Sequence, residues 1–470
     1  MAFCNPTRRF RSREIRPLAR RASVILVSFA AAFCLTVQSA AAQALDLLRD
    51  TEIERVLKSY EDPFLHAAGL DPAAFKVYLL NDPTVNSFAA GGQNIFIQTG
   101  MIMYVDTPNE LKGVMAHETG HVAGGDLTRD TSAIAKASVP MLISMAAGLI
   151  AMVAGAGEAG MGIMMAGQQI AEGQFMAFSR VQEATADQRG MKYLTATHQS
   201  GRGMLHVFER FADEEAMSNT QIDTYARDHP ASRDRVLALQ SLVDASPYKD
   251  VKDSPEDLHE YKMIKAKLSG YLEDVPTVLN RYPPSDTSDV ARYARAMAYF
   301  RQPDMKKALA EINSLIKDEP NNPYFYEVLG QIYVEMSRPA QGIAPYQKSV
   351  DLMPDAPLLR IDLAAAQLAT EDKRLAQPAL DNLKIAMQQE DDNAFGWYQM
   401  AQAYSDLNNE PMANLATAER FYSVGGYQEA GRFAALAQRV LPEGSPDWQR
   451  AVDIMSAAGP AAKKQKEDEE

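Results

Sequence analysis

The sequence predicts two folded parts, an α+β domain that is mostly helical with a small sheet and, behind it, an all-α solenoid of short repeats. Three observations carry that expectation. Helical and strand periodicities mix between residues 43 and 250, a 34-residue period governs much of 251–458, and the ends, 1–42 and 459–470, have compositions of their own. At 470 residues the chain is long enough for each part to bury a core.

Residues 1–42 read as an export signal. Seven arginines lie between Arg8 and Arg21, an apolar run follows from Ala22 to Val37, and Ser39-Ala40-Ala41-Ala42 offers the small residues a signal peptidase accepts, with cleavage near Ala42. A retained anchor is the alternative, which the short apolar run disfavours. Both cysteines, Cys4 and Cys34, fall in this segment. The exported chain therefore has no disulfide, no thiolate ligand and no cysteine nucleophile. The net charge of −14 becomes −20 once the seven Arg and one Glu of 1–42 are removed, which argues against nucleic acid or anionic lipid as the main partner.

Along the first part, helical periodicity runs from about Leu45 to Tyr60. Lys76–Leu80 and Asn94–Gln98 read as strands, separated by Asn81-Asp82-Pro83 and Gly91-Gly92. A helix follows from about Pro108 to Gly124, and Gly124-Gly125 stops it. The uncharged stretch 137–157, rich in Met, Ala, Gly and Ile, is long enough to enter a membrane, but Pro140 and several glycines interrupt it. Two readings stay open for it: a mobile helical hairpin or cover beside the site, or membrane contact, peripheral or by insertion.

In the second part, Pro320 and Pro354 stand 34 residues apart, as do Pro323 and Pro357. Small residues recur at Ala296, Gly330 and Ala364, and again at Ala308, Gly342, Ala376 and Ala413, while Tyr299, Tyr333 and Tyr404 mark an aromatic position. A helix–turn–helix unit of that period resembles the tetratricopeptide repeat, and about four units cover 289–441. The charged tail, Lys463 to Glu470 at the end of 459–470, is expected to be disordered.

The sharpest chemical signal is His117-Glu118-Thr119-Gly120-His121. Residues four apart on a helix share a face, so two imidazoles there can converge on one zinc ion. Glu118, about 100° around the helix, stands beside the metal and can take a proton from a water that the metal activates. Leu111, Val114 and Met115 place the motif inside a partly buried helix. A catalytic zinc needs a third ligand and an open position. Glu183-Ala184-Thr185-Ala186-Asp187 offers two carboxylates on one face, the first for the metal and the second for the far ring nitrogen of a ligand histidine. An ordinary solvated face beside Arg180 and Arg189 is the alternative. His229, before Pro230, is open to three roles: an additional zinc ligand, a transition-state residue, or local packing. Arg235 is open to holding a carboxylate such as Asp187, to stabilising an oxyanion, or to a surface ion pair. His66, His198, His206 and His259 show no ligand spacing.

These motifs together resemble the M48 metallopeptidases. The match comprises His117–His121, Phe178-Ser179-Arg180 leading into Glu183–Asp187, His229-Pro230 with Arg235, and Asn86-Ser87-Phe88-Ala89 before a strand, and it covers roughly residues 46–245. With an export signal and C-terminal repeats, the chain is similar to the periplasmic branch of that family. The resemblance implies a zincin-like fold and one zinc per chain on His117, His121 and Glu183. It implies Glu118 as base and Asp187 as a supporting acid. It also implies a periplasmic endopeptidase whose repeats meet unfolded or misassembled proteins, among them outer-membrane β-barrels and their assembly machinery. A chaperone or scaffold with little proteolysis is the rival reading. A small sheet whose edge pairs with an extended peptide would suit an endopeptidase.

Overall fold

The computed structural model describes residues 46–90, 94–126, 180–217 and 232–469, with Met161, Met165 and His229. The export signal, the stretch 137–157 and Gly91-Gly92 lie outside the described residues. Among those described, no helix is long and apolar enough to cross a membrane.

Helix α1 spans Thr51–Ala68, starting later and running further than the periodicity predicts. The Asp50 carboxylate accepts the Ile53 N–H at 2.9 Å and fixes the start, while Gly69, at φ +74°, closes the end. Residues 46–48 are extended instead and pair with the first strand, Leu48 N–H donating to Leu79 O at 2.9 Å. Pro63 does not break the helix, because Phe64 and Leu65 beyond it are buried. Each such side chain contributes about 1.5–3 kcal/mol against the lost backbone bond.

The sheet has three strands in the order β1-β3-β2: β1 at Lys76–Leu80, β2 at Ser87–Ala90 and β3 at Asn94–Gln98. β1 runs parallel and β2 antiparallel to the central β3. Phe96 on β3 is stacked between Tyr78 and Phe88, with both ring pairs at 5.1 Å. The two outer strands bear on different neighbours. Residues 46–48 lie on the free side of β1, whereas β2 packs beside the histidine-bearing helix.

That helix, α3, spans Pro108–Gly124 after the short α2, Thr99–Tyr104. Thr107 caps it by accepting the Glu110 N–H, Pro108 sits in the first turn where no N–H is needed, and Gly125 at φ +66° ends it. Around it lie α1, helix α4 at 180–196, α5 at Arg202–Met217 and α6 at Arg233–Ala245. Two glycines let the neighbours close in. A Cβ on Gly120 would lie 2.7 Å from Ala186 O in α4, and one on Gly113 would lie 2.6 Å from the Met204 backbone in α5. Val114, Met115, Phe208 and Phe211 fill the core between these helices.

Helix α7, Pro255–Leu272, opens the region expected as repeats, yet it belongs to the first core as well. Tyr261, Ile264 and Leu268 pack into it, and the Tyr261 hydroxyl lies 2.8 Å from Ile102 O. After α8, Val275–Arg281, come the helix pairs. They are α9 Asp289–Arg301 with α10 Met305–Asp318, and α11 Pro323–Glu335 with α12 Pro339–Leu352. Next stand α13 Pro357–Leu368 with α14 Ala376–Ala386, α15 Ala394–Asp406 with α16 Glu410–Ser423, and finally α17 Tyr427–Gln438 with α18 Pro446–Glu469. Consecutive helices pack on one another, giving the all-α solenoid. The recurring small residues sit at the crossings: a Cβ on Gly330 would meet the Tyr346 ring at 2.7 Å, and one on Gly342 would meet Gly330 O at 3.0 Å. The tail expected to be disordered is instead the end of α18, which continues to Glu469. Ala, Lys and Glu are strong helix formers, and there propensity outweighs the charge that suggested disorder.

The solenoid is fastened to the first part along the helices that open successive pairs. Lys267 of α7, 4% exposed, places Nζ 2.6 Å from Asp50, 3.3 Å from Glu52 and 3.7 Å from Glu327. The Tyr293 hydroxyl donates to Glu52 at 2.7 Å, and Tyr293 and Glu327 stand one 34-residue period apart. Further along, Arg49 pairs with Glu390 at 2.8 Å, and Lys76 with Asp392 at 2.8 Å.

Candidate metal centre

Helix α3 carries His117 and His121 on one face, and the close α3–α4 crossing at Gly120 brings Glu183 opposite them. His229 meets the same point. Their donor atoms lie within 4.8 Å of one another. His121 Nε2 is 3.1 Å from His117 Nε2, and the Glu183 oxygens are 3.4 Å from each of those two nitrogens. His229 Nδ1 is 3.5 Å from His117 Nε2 and 3.1 Å from Glu183 Oε1. Donors bound at 2.0–2.1 Å to a tetrahedral zinc stand about 3.3 Å apart, so the donor set and its spacing fit that ion.

Around these four residues stands a ring of fixed partners. Asp187 Oδ1 lies 3.0 Å from His117 Nδ1, and Asp126 Oδ2 lies 3.0 Å from His121 Nδ1, so each imidazole turns its Nε2 toward the centre. Arg235 forks onto Asp187, with Nε and Nη2 at 2.9 and 2.8 Å, and its Nη1 reaches Glu183 at 3.0 Å. Glu118 is fully buried, and its Oε1 lies 3.7 Å from His229 Nε2. Behind the motif, Thr119 Oγ1 lies 2.5 Å from Glu61 Oε1 of α1 and 2.8 Å from Met115 O.

The electrostatics follow from these contacts. Burial acts to raise the Glu183 carboxyl, but the charge of His229 and hydrogen bonds from His117 and His121 outweigh it and hold the group well below the usual range. Asp187 is likewise lowered against its burial, by His117 and Arg235. Burial acts to lower both imidazoles. Asp187 and Glu183 nevertheless raise His117, and Asp126 with Glu183 raises His121 to about 10. The site is a concentration of negative charge that wants a cation between its histidines.

The structure thus brings together His117, Glu118, His121, Glu183, Asp187, His229 and Arg235. Arg235 holds carboxylates in the interior rather than a surface pair, and Phe178-Ser179 and Pro230 of the motifs lie outside the described residues. Asp126 and Glu61 were missed. Asp126 follows the Gly124-Gly125 stop, a place where an acid ordinarily reads as loop polarity, and Glu61 lies 58 residues from its partner. Of the other histidines, His206 binds Glu110 at 2.9 Å and His198 packs on Tyr248 at 4.5 Å. His259 lies 3.4 Å from Asp289 on the exposed repeat surface.

Comparison with known proteins agrees with this geometry. The model of peptidase family M48 matches residues 48–243. A protease HtpX homolog of Methylibium petroleiphilum is 30% identical over 197 residues, spanning 36% of this chain and 68% of that protein. The chain belongs to peptidase family M48. Two further relatives align through the repeats of this M48 metallopeptidase as well. The beta-barrel assembly-enhancing protease of Escherichia coli strain K12 is 23% identical over 406 residues, 85% of this chain and 81% of its own. A putative beta-barrel assembly-enhancing protease of Vibrio cholerae is 25% identical over 407 residues, 83% of this chain and 81% of its own.

Proposed function

We propose that this M48 metallopeptidase is a zinc endopeptidase of the periplasm that degrades, or helps to assemble, misfolded outer-membrane or exported proteins. The observation that carries the reading is the convergence of His117, His121 and Glu183 at zinc spacing with Glu118 on the same helix. Zinc there would supply Lewis-acid activation of a peptide carbonyl and of water. The chain's own residues do the rest. Glu118 accepts the proton of the attacking water and passes it toward the leaving amine. Asp187 and Asp126 lock the imidazoles, and Arg235 keeps Asp187 ionised and in place. An extended client pairs with the outer edge of β2, beside α3, so that backbone rather than sequence selects the chain. The repeats hold clients or the assembly machinery, and exposed Phe395 and Tyr398 on α15 offer apolar anchors. The names of the Escherichia and Vibrio relatives, which speak of β-barrel assembly, support β-barrel proteins as clients.

The test pairs metal analysis with casein hydrolysis. Mature protein is expected to hold one zinc, with Glu118→Gln keeping zinc and fold while losing hydrolysis, because an amide cannot accept the proton. Undiminished hydrolysis by that variant, or wild-type protein that takes up no zinc, overturns the assignment.

A second reading has its own observation. His229 Nδ1 stands in the donor cluster, 3.1 Å from Glu183 Oε1 and 3.5 Å from His117 Nε2, where an open position would be needed for water. That placement favours a resting form in which proteolysis is restrained and the repeats act as a scaffold.

A further inference from the structure

We infer that Glu61 is a neutral carboxylic acid whose O–H donates to Thr119, and that this bond positions the metal-ligand helix from behind. The argument is a count of hydrogens. Thr119 Oγ1 has two oxygens within bonding distance, Glu61 Oε1 at 2.5 Å and Met115 O at 2.8 Å, and its hydroxyl carries one hydrogen. A carbonyl oxygen only accepts, so the Thr119 hydrogen goes to Met115 O, one turn back in the same helix. The bond to Glu61 then needs its hydrogen from Glu61. An ionised Glu61 would leave two lone-pair-bearing oxygens facing each other at one of these contacts.

Three further features agree. Glu61 is 0% exposed, and its Oε2 has no hydrogen-bond partner among the described residues. A carboxylate with one bare oxygen in that interior is far costlier than the carbonyl of a neutral acid. Among the described residues, the charged groups that act on Glu61 are Asp62 and Lys58 on α1 and Glu118 on α3, two of them acids. Burial, with those acids, pushes the group up to about 8 despite the Thr119 contact.

Thr119 lies midway between His117 and His121, so a donor fixed on α1 holds the turn whose two ends carry the imidazoles. Glu61 is on this account a positioning residue. Its protonation is independent of the metal assignment, whereas its positioning role rests on α3 carrying the ligands.

The experiment uses full-length mature protein and three variants. Infrared difference spectra of wild type against Glu61→Gln at pH 6 are expected to contain the carbonyl band of a protonated acid. Carboxylate bands alone would overturn the inference. The amide of Glu61→Gln can still donate to Thr119 but cannot ionise, so its melting temperature relative to wild type should rise from pH 5 to pH 9. A constant deficit would show that the charge is needed. Zinc competition with a chelator reads the positioning role. Glu61→Gln should hold zinc within about twofold of wild type, and Glu61→Leu, with no donor, should weaken it on the order of tenfold. Should Glu61→Leu not fold, Thr119→Val removes the acceptor in the same shape and is expected to weaken zinc equally. Equal losses in Glu61→Gln and in the variant lacking the bond would overturn the donor role. Unchanged zinc affinity in Thr119→Val would overturn the positioning role while leaving the protonation to the spectra.

Discussion

On the proposed readings, His229 is the side chain at which restraint and catalysis divide. Its ring faces both a carboxylate of the donor set, at 3.1 Å from Glu183, and the buried Glu118, at 3.7 Å. If the imidazole restrains the site by taking the position that water needs, His229→Ala should raise basal casein hydrolysis or self-cleavage, with zinc still held by His117, His121 and Glu183. If it stabilises the transition state, the same variant loses activity with zinc retained. The two outcomes have opposite signs, so one assay of zinc content and one of turnover decide between them.

At the scale of elements, the site depends on how closely α3 and α4 approach. The second wildcard of the histidine motif is Gly120, where an added Cβ would lie 2.7 Å from Ala186 O, against backbone that cannot rotate away. Gly120→Ala should therefore push Glu183 out of reach of the histidines. The expected result is helical content near wild type by circular dichroism, about 1–3 kcal/mol of lost stability, and zinc affinity down by tenfold or more. The sequence made part of this legible. The spacing of His117 with His121 and of Glu183 with Asp187 marks single helix faces, and Gly124-Gly125 marks the stop of α3. Strand β2, with its four residues, carries too little alternation to be read without its partner β3. Asp126 and Glu61 likewise gain meaning only from the folded neighbours that receive them, since an isolated acid has no local period. Helix α1 outruns the periodicity that ends near Tyr60, since Pro63, a local breaker, is overridden by packing that only the tertiary structure supplies.

For the whole molecule, the join between the catalytic part and the repeats is a buried cluster with more acids than bases. Burial raises Glu52, and it pushes Glu327 up to about 8 and Asp362 up to about 7, with Lys267 as the cation among them. In the unfolded chain such acids lose their protons near pH 4. Between there and about pH 8 the folded form keeps protons that the unfolded form releases. The stability these acids contribute is thus greatest at the acid end and is lost as pH rises through 8. Lys267→Met should cost about 3–5 kcal/mol at pH 8, where the acids face one another uncompensated. The cost should be smaller at pH 5, and thermal melting across that range checks the difference. The burial of the histidine site has a kinetic meaning as well. His117 is fully enclosed, and Glu183 and His229 are 4% and 9% exposed. A chelator cannot touch an ion seated there until the protein opens, so stripping should become independent of chelator concentration once capture outruns reclosing. The plateau rate would then be the rate of that opening.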